Sequence, residues 1–66
     1  MIVRFSNVGR GHVDFIAECD NFTEEWAARQ VKRNARVMSD DLAFENGVIF
    51  AGFHIIGTYD FGDNKT

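Results

Sequence analysis

His12 and Asp14 stand two residues apart in an alternating stretch, and His54 and Cys19 add a second imidazole and the chain's one thiol. These are the residue types that hold a zinc ion, or that pair a nucleophile with its base. Their spacing argues for neither. The chain has no metal-knuckle spacing, Cys19 falls on the inward side of its stretch, and His54 interrupts an apolar run where a hydrogen-bonded structural histidine is the usual occupant. Gly9-Arg10-Gly11 offers backbone amides to a phosphate but lacks the rest of a phosphate-loop pattern, so it reads as a turn. No catalytic residue, metal or cofactor is expected, and a 66-residue chain rarely encloses the pocket of about 300 Å³ that catalysis uses.

A second constellation lies in EEWAARQVKRNAR, residues 24 to 36, where the lone tryptophan heads a run with four basic side chains and no acid after Glu25. At 100° per residue, Ala27, Ala28, Val31, Ala35 and Met38 fall on one arc of a helix. Trp26, Arg29, Arg33 and Val37 fall on the other, with Gln30, Lys32 and Arg36 at its flanks. Trp26, Arg29, Lys32, Arg33 and Arg36 are therefore the candidate binding surface. Such a set suits three fates: phosphates with the indole stacked on a base, a protein interface, where Trp and Arg dominate the energetics, or a solvated face with an arginine lying over the ring. A net charge of −3 favours protein over nucleic acid as the partner.

The charge is also segregated. Residues 26 to 38 carry four cations and no acid, against three cations and ten acids elsewhere. Asp14, Glu18 and Asp20 form one acidic cluster and Asp40, Asp41 and Glu45 another, an alternative surface suited to the basic groove of a nucleic-acid enzyme. The same acids would equally protect sheet edges from pairing.

The elements that must position these groups are legible in outline. Residues 2 to 8 and 12 to 19 are rich in β-branched and aromatic residues around the Gly9-Arg10-Gly11 turn, which predicts a hairpin with Val3, Phe5, Val13, Phe15, Ala17 and Cys19 facing inward. Asp20-Asn21-Phe22-Thr23 supplies capping acceptors, and a helix is expected from Thr23 to Met38. Asn21-Phe22-Thr23 also fits a glycosylation pattern, but the capping role explains it better. In LAFENGVIF, Asn46-Gly47 between apolar runs predicts a type I′ hairpin with Phe44 opposite Ile49 and Leu42 opposite Ala51. The following arm, residues 48 to 56, reads as one strand apolar on both faces. Gly57 permits a bend, residues 58 to 61 continue the strand or pack as a tail, and 63 to 66 are expected to fray.

The expectation is thus a single α+β domain over residues 1 to 62, ββαββ, with two antiparallel hairpins and one helix packed on the sheet. Because one helix covers one sheet face, Val48, Phe50, His54 and Ile56 are assigned to a homodimer interface on the other. Disulfides within the chain are excluded by the single cysteine. Met1-Ile2-Val3-Arg4 runs directly into the alternating pattern and no apolar run approaches the ~20 residues of a bilayer span, so a cytoplasmic protein without membrane contact is expected.

The run FIAECDNFTEEWAARQV, a strand entering an acidic cap and then an Ala-rich helix, is followed by a further hairpin. In that layout, over about residues 12 to 60, the chain resembles small bacteriophage proteins that bind and inhibit host enzymes, such as the short-tailed coliphage inhibitors of bacterial RNA polymerase. No specific motif is shared, so no functional residue is carried over. The resemblance implies a class: tiny cytosolic proteins, phage or mobile-element encoded, that act by stoichiometric binding to a host protein. Direct nucleic-acid binding through the helix, and a structural role in a larger assembly, are the alternatives.

Overall fold

The computed structural model describes residues 1 to 62; the expected frayed tail at 63 to 66 lies outside the described residues. The element order is β1 (Ile2–Val8), β2 (Val13–Glu18), α1 (Glu24–Ala35), β3 (Leu42–Glu45), β4 (Val48–Ala51) and β5 (His54–Phe61). The five strands form one antiparallel sheet in the order β2-β1-β5-β4-β3. The helix joins the two edge strands, β2 and β3, and contacts both, so it must span the width of one sheet face.

The α+β class is as expected, but the layout is ββαβββ. The stretch 48 to 56 is two strands, because Gly52 takes a left-handed φ of 65° and turns the chain back so that Ala51 pairs with His54. Glycine at the first of two central turn residues is what a type II′ hairpin needs. The doubly apolar arm is therefore two half-buried strands read as one. β5 then runs on to Phe61 and pairs with β1, which puts the first and last strands at the sheet's centre.

Elsewhere the register follows the sequence pattern. Asn46 and Gly47 both have positive φ, 53° and 81°, and β3 pairs with β4 through Phe44–Ile49 and Leu42–Ala51. In β2 the burial alternates residue by residue, with Val13, Phe15 and Ala17 inward. Thr23 caps α1, its Oγ1 accepting from the Trp26 amide at 3.1 Å, and Glu24 and Glu25 sit near the positive end of the helix dipole. Glu24 also reaches across to β3, where its Oε2 accepts from the Phe44 amide at 3.2 Å.

The core comprises Val3, Phe5, Val8, Ala27, Val31, Phe44 and Ile49, all between the helix and the sheet. Around it lies a cluster of rings: Phe15 stacks on Phe5 with centroids 4.6 Å apart, and Phe22 stacks on Tyr59 at 5.4 Å while meeting Phe44, Phe61 and Trp26 edge-on. Phe22, just ahead of the helix cap, seals the end of the core between α1 and β5.

The helix stops three residues short of the expected Met38. Arg36 enters the left-handed region at φ 57° and ends it. The helical phase is lost there, so the last two arc assignments reverse: Val37 packs against the core and Met38 is 89% exposed. Gly9 makes room for Val37, since a Cβ on it would lie 3.2 Å from a Val37 methyl.

Candidate interaction surfaces

Trp26 sits beside the core, contrary to its expected place among the cations. Its ring lies 6.2 Å from that of Phe5 and 6.1 Å from that of Phe22, and the side chain is half-buried. The rings of Phe5 and Phe22 hold the indole at the helix shoulder; among the described residues no arginine stacks on it. The reason is size: the inward arc otherwise offers alanines and one valine, which leaves space at the helix start that only a large ring fills.

Arg29, Lys32 and Arg33 lie on the helix, while Arg36, expected on it, is its left-handed C-cap. Arg29, Lys32, Arg33 and Arg36 are all exposed. Lys32 is engaged, its Nζ 3.1 Å from Oδ1 of Asp40 in the chain that follows the helix. Among the described residues, Arg10, Arg29, Arg33 and Arg36 make no side-chain hydrogen bond or ion pair. Arg4 differs. On the sheet face away from the helix it forms a two-pronged pair with Asp60, at 2.8 and 3.2 Å, and that hydrogen bond with the attraction behind it raises the guanidinium further above its ordinary pKa.

The acidic clusters map onto the sheet edges. Asp14 and Glu18 lie on β2, with Asp20 just beyond it, and Glu45 lies on β3, with Asp40 and Asp41 just before it. Three of the six are engaged locally: Asp14 accepts from the Asn7 amide at 2.8 Å, Asp40 holds Lys32, and Asp41 accepts from the Ser39 hydroxyl. Acids along both unpaired edges discourage strand addition. That arrangement supports edge protection over a docking surface.

Val48, Phe50, His54 and Ile56 do not share one face. The Gly52 turn puts the first two on β4 and the others on β5, and an irregularity in the pairing between Ile49 and Phe50 aligns Ile55, not Ile56, with Phe50. Ile56 packs against the core while Ile55 is 66% exposed. The outer face is also crossed by the Arg4–Asp60 pair, so these four residues do not form one continuous apolar surface.

His12 and Asp14 likewise separate. His12 precedes β2 with φ 52°, so it stands in the turn and not on Asp14's strand face. Instead both histidines reach one open groove of about 1250 Å³ at the end of the molecule formed by the β1–β2 turn, the helix C-terminus and the β4–β5 hairpin. Arg10 and Arg36 line it too. No stretch of sequence announces this groove, because its walls come from three separate turns. Among the described residues no three His, Cys, Asp or Glu side chains gather as a metal site, and no helix is long and apolar enough to cross a membrane.

The chain is thus a small α+β domain of five antiparallel strands and one helix, with Arg29 and Arg33 exposed on that helix. Compared with known proteins, the chain has no significant match to a family model, a curated protein or a solved structure.

Proposed function

We propose that this chain is a small non-catalytic interaction protein, of phage or mobile-element type, that acts in the host cytoplasm by binding a host protein stoichiometrically and inhibiting or modulating it. The observation that carries the reading is the set of exposed arginines on α1 and at its C-cap, Arg29, Arg33 and Arg36, which have no side-chain partner among the described residues of a chain whose net charge is −3. Cations with no counter-charge of their own are complementary to an acidic surface elsewhere, and they speed and orient its approach. A protein partner is favoured over nucleic acid because Trp26 is tucked against Phe5 and Phe22, which leaves no ring on the basic face to stack on a base. The phage or mobile-element class is suggested by the resemblance of residues 12 to 60 to small phage inhibitors in the order of strand, acidic cap and Ala-rich helix.

The test is affinity capture from host lysate with the wild-type protein and with Arg29→Glu/Arg33→Glu. The expected result is one protein held by the wild type in a fixed ratio and lost from the variant, with both folded by circular dichroism. Equal capture by both removes the helix face from the reading. Binding of random oligonucleotides at low salt that collapses as salt rises would put nucleic acid in its place.

A further inference from the structure

We infer that the groove at the helix C-terminal end is a binding site for an extended acidic peptide segment with apolar side chains, presented by the partner protein. The inference rests on the protein-partner reading above and deepens it. Its first support is charge. Arg10 and Arg36 line the groove with His12 and His54 beside them, and among the described residues no acid does, in a chain with ten acids against seven lysines and arginines. Both of the chain's histidines meet there with Arg10 and Arg36, two of the four arginines that have no side-chain partner among the described residues.

The second support is backbone strain. Four non-glycine residues have positive φ; one is Asn46 of the Asn-Gly turn, and the other three, Asn7, His12 and Arg36, all line this groove. Asparagine and histidine are found in the left-handed region more often than other side chains, but arginine occupies it at a cost that glycine would not incur. A cation kept where the backbone favours glycine points to a use for the side chain, and strain of this kind gathers at binding sites.

The third support is apolar surface. Val37 and Ile56 form part of the wall, and exposed Met38 and Ile55 line it as well. Phe53, fully exposed, stands on the adjoining turn one residue from His54. Cations beside apolar walls match a peptide that alternates acidic and apolar side chains. Nucleic acid would leave the apolar walls unused, and no Phe, Tyr or Trp lines the groove to stack on a base. An anionic bilayer is a poor fit, because the acids along both sheet edges would be repelled by it.

The probe is a fluorescent peptide of about ten residues alternating Glu with Leu and Phe. Its binding is read by anisotropy against the wild type, Arg10→Ala/Arg36→Asn and Arg29→Glu/Arg33→Glu. Asparagine is chosen at 36 because it accepts the left-handed backbone. The expected result is saturable binding, weakened roughly tenfold in Arg10→Ala/Arg36→Asn, weakened less in Arg29→Glu/Arg33→Glu, and absent when Lys replaces Glu in the peptide. Arg29→Glu/Arg33→Glu alters only the field around the groove, which added salt screens. The melting midpoint of Arg10→Ala/Arg36→Asn should be no lower than that of the wild type, which separates lost contact from lost fold. Absence of binding, equal binding of the acidic and basic peptides, or a random oligonucleotide or phosphatidylserine vesicle bound through Arg10 and Arg36 overturns the inference. If the peptide fails while a host protein is still captured through Arg29 and Arg33, the groove is wrong and the wider reading stands. If neither binds, both fall.

Discussion

Phe22 carries more of the structure than its position in an acidic, loop-like stretch suggests. It stacks on Tyr59, meets Phe44, Phe61 and Trp26 edge-on, and immediately precedes the Thr23 cap, so it joins the helix entry to the last strand. Truncating a half-buried ring removes its burial and its ring contacts together. Phe22→Ala should cost about 2 kcal/mol, below the full-burial value, and lower the melting temperature by roughly 10 °C. Circular dichroism checks it, and a shift of a degree or two would show that the ring cluster is dispensable. Trp26 teaches the same point. Its place on a helical wheel is outward, yet the ring is large enough to bend around the helix shoulder and reach Phe5. A wheel records the direction of a Cα–Cβ bond, not where a ten-atom side chain comes to rest.

At the scale of elements, the sheet's centre depends on β1 and β5 coming close. Gly57 is buried in β5, and a Cβ there would lie 3.0 Å from a Val8 methyl and 3.1 Å from the Ser6 carbonyl oxygen. Gly57→Ala should therefore destabilise by about 2 kcal/mol through forced separation of the two strands, an overpacking effect that denaturant titration would measure. The sequence marks Gly57 only as a site for a bend, since nothing local says that the first and last strands are neighbours. The Asn46-Gly47 hairpin was legible to the residue because its turn chemistry is local. The Gly52-Phe53 turn was not, because an apolar run on either side of one glycine reads as an unbroken strand.

For the molecule as a whole, the Cα radius of gyration of 10.9 Å is what a compact chain of this length has, about 11 Å, so one helix suffices to close the fold. What remains exposed is a sheet with two unpaired edges, each lined by acids, and a helix whose arginines face outward. Glu18 on β2 and Glu45 on β3 are exposed and make no ion pair among the described residues. Glu18→Val with Glu45→Val should leave the circular dichroism spectrum unchanged while light scattering shows growth of associated species. A variant that stays as monodisperse as the wild type would mean that the edges are guarded by strand length and twist instead.

The amino-acid sequence by itself determined the α+β class, the first hairpin and its inward face, a capping stretch ahead of the helix, the Asn-Gly turn with its register, and the exposure of Arg29, Lys32, Arg33 and Arg36. Each rests on side-chain periodicity or on the chemistry of a few adjacent residues. The tertiary structure alone decided the pairing of β1 with β5, the inward turn of Trp26, the parting of the supposed dimer face, and the meeting of Arg10, His12, Arg36 and His54 in one groove. These depend on contacts between residues far apart in the chain, and on the left-handed backbone at Gly52 and Arg36 that redirects everything after it.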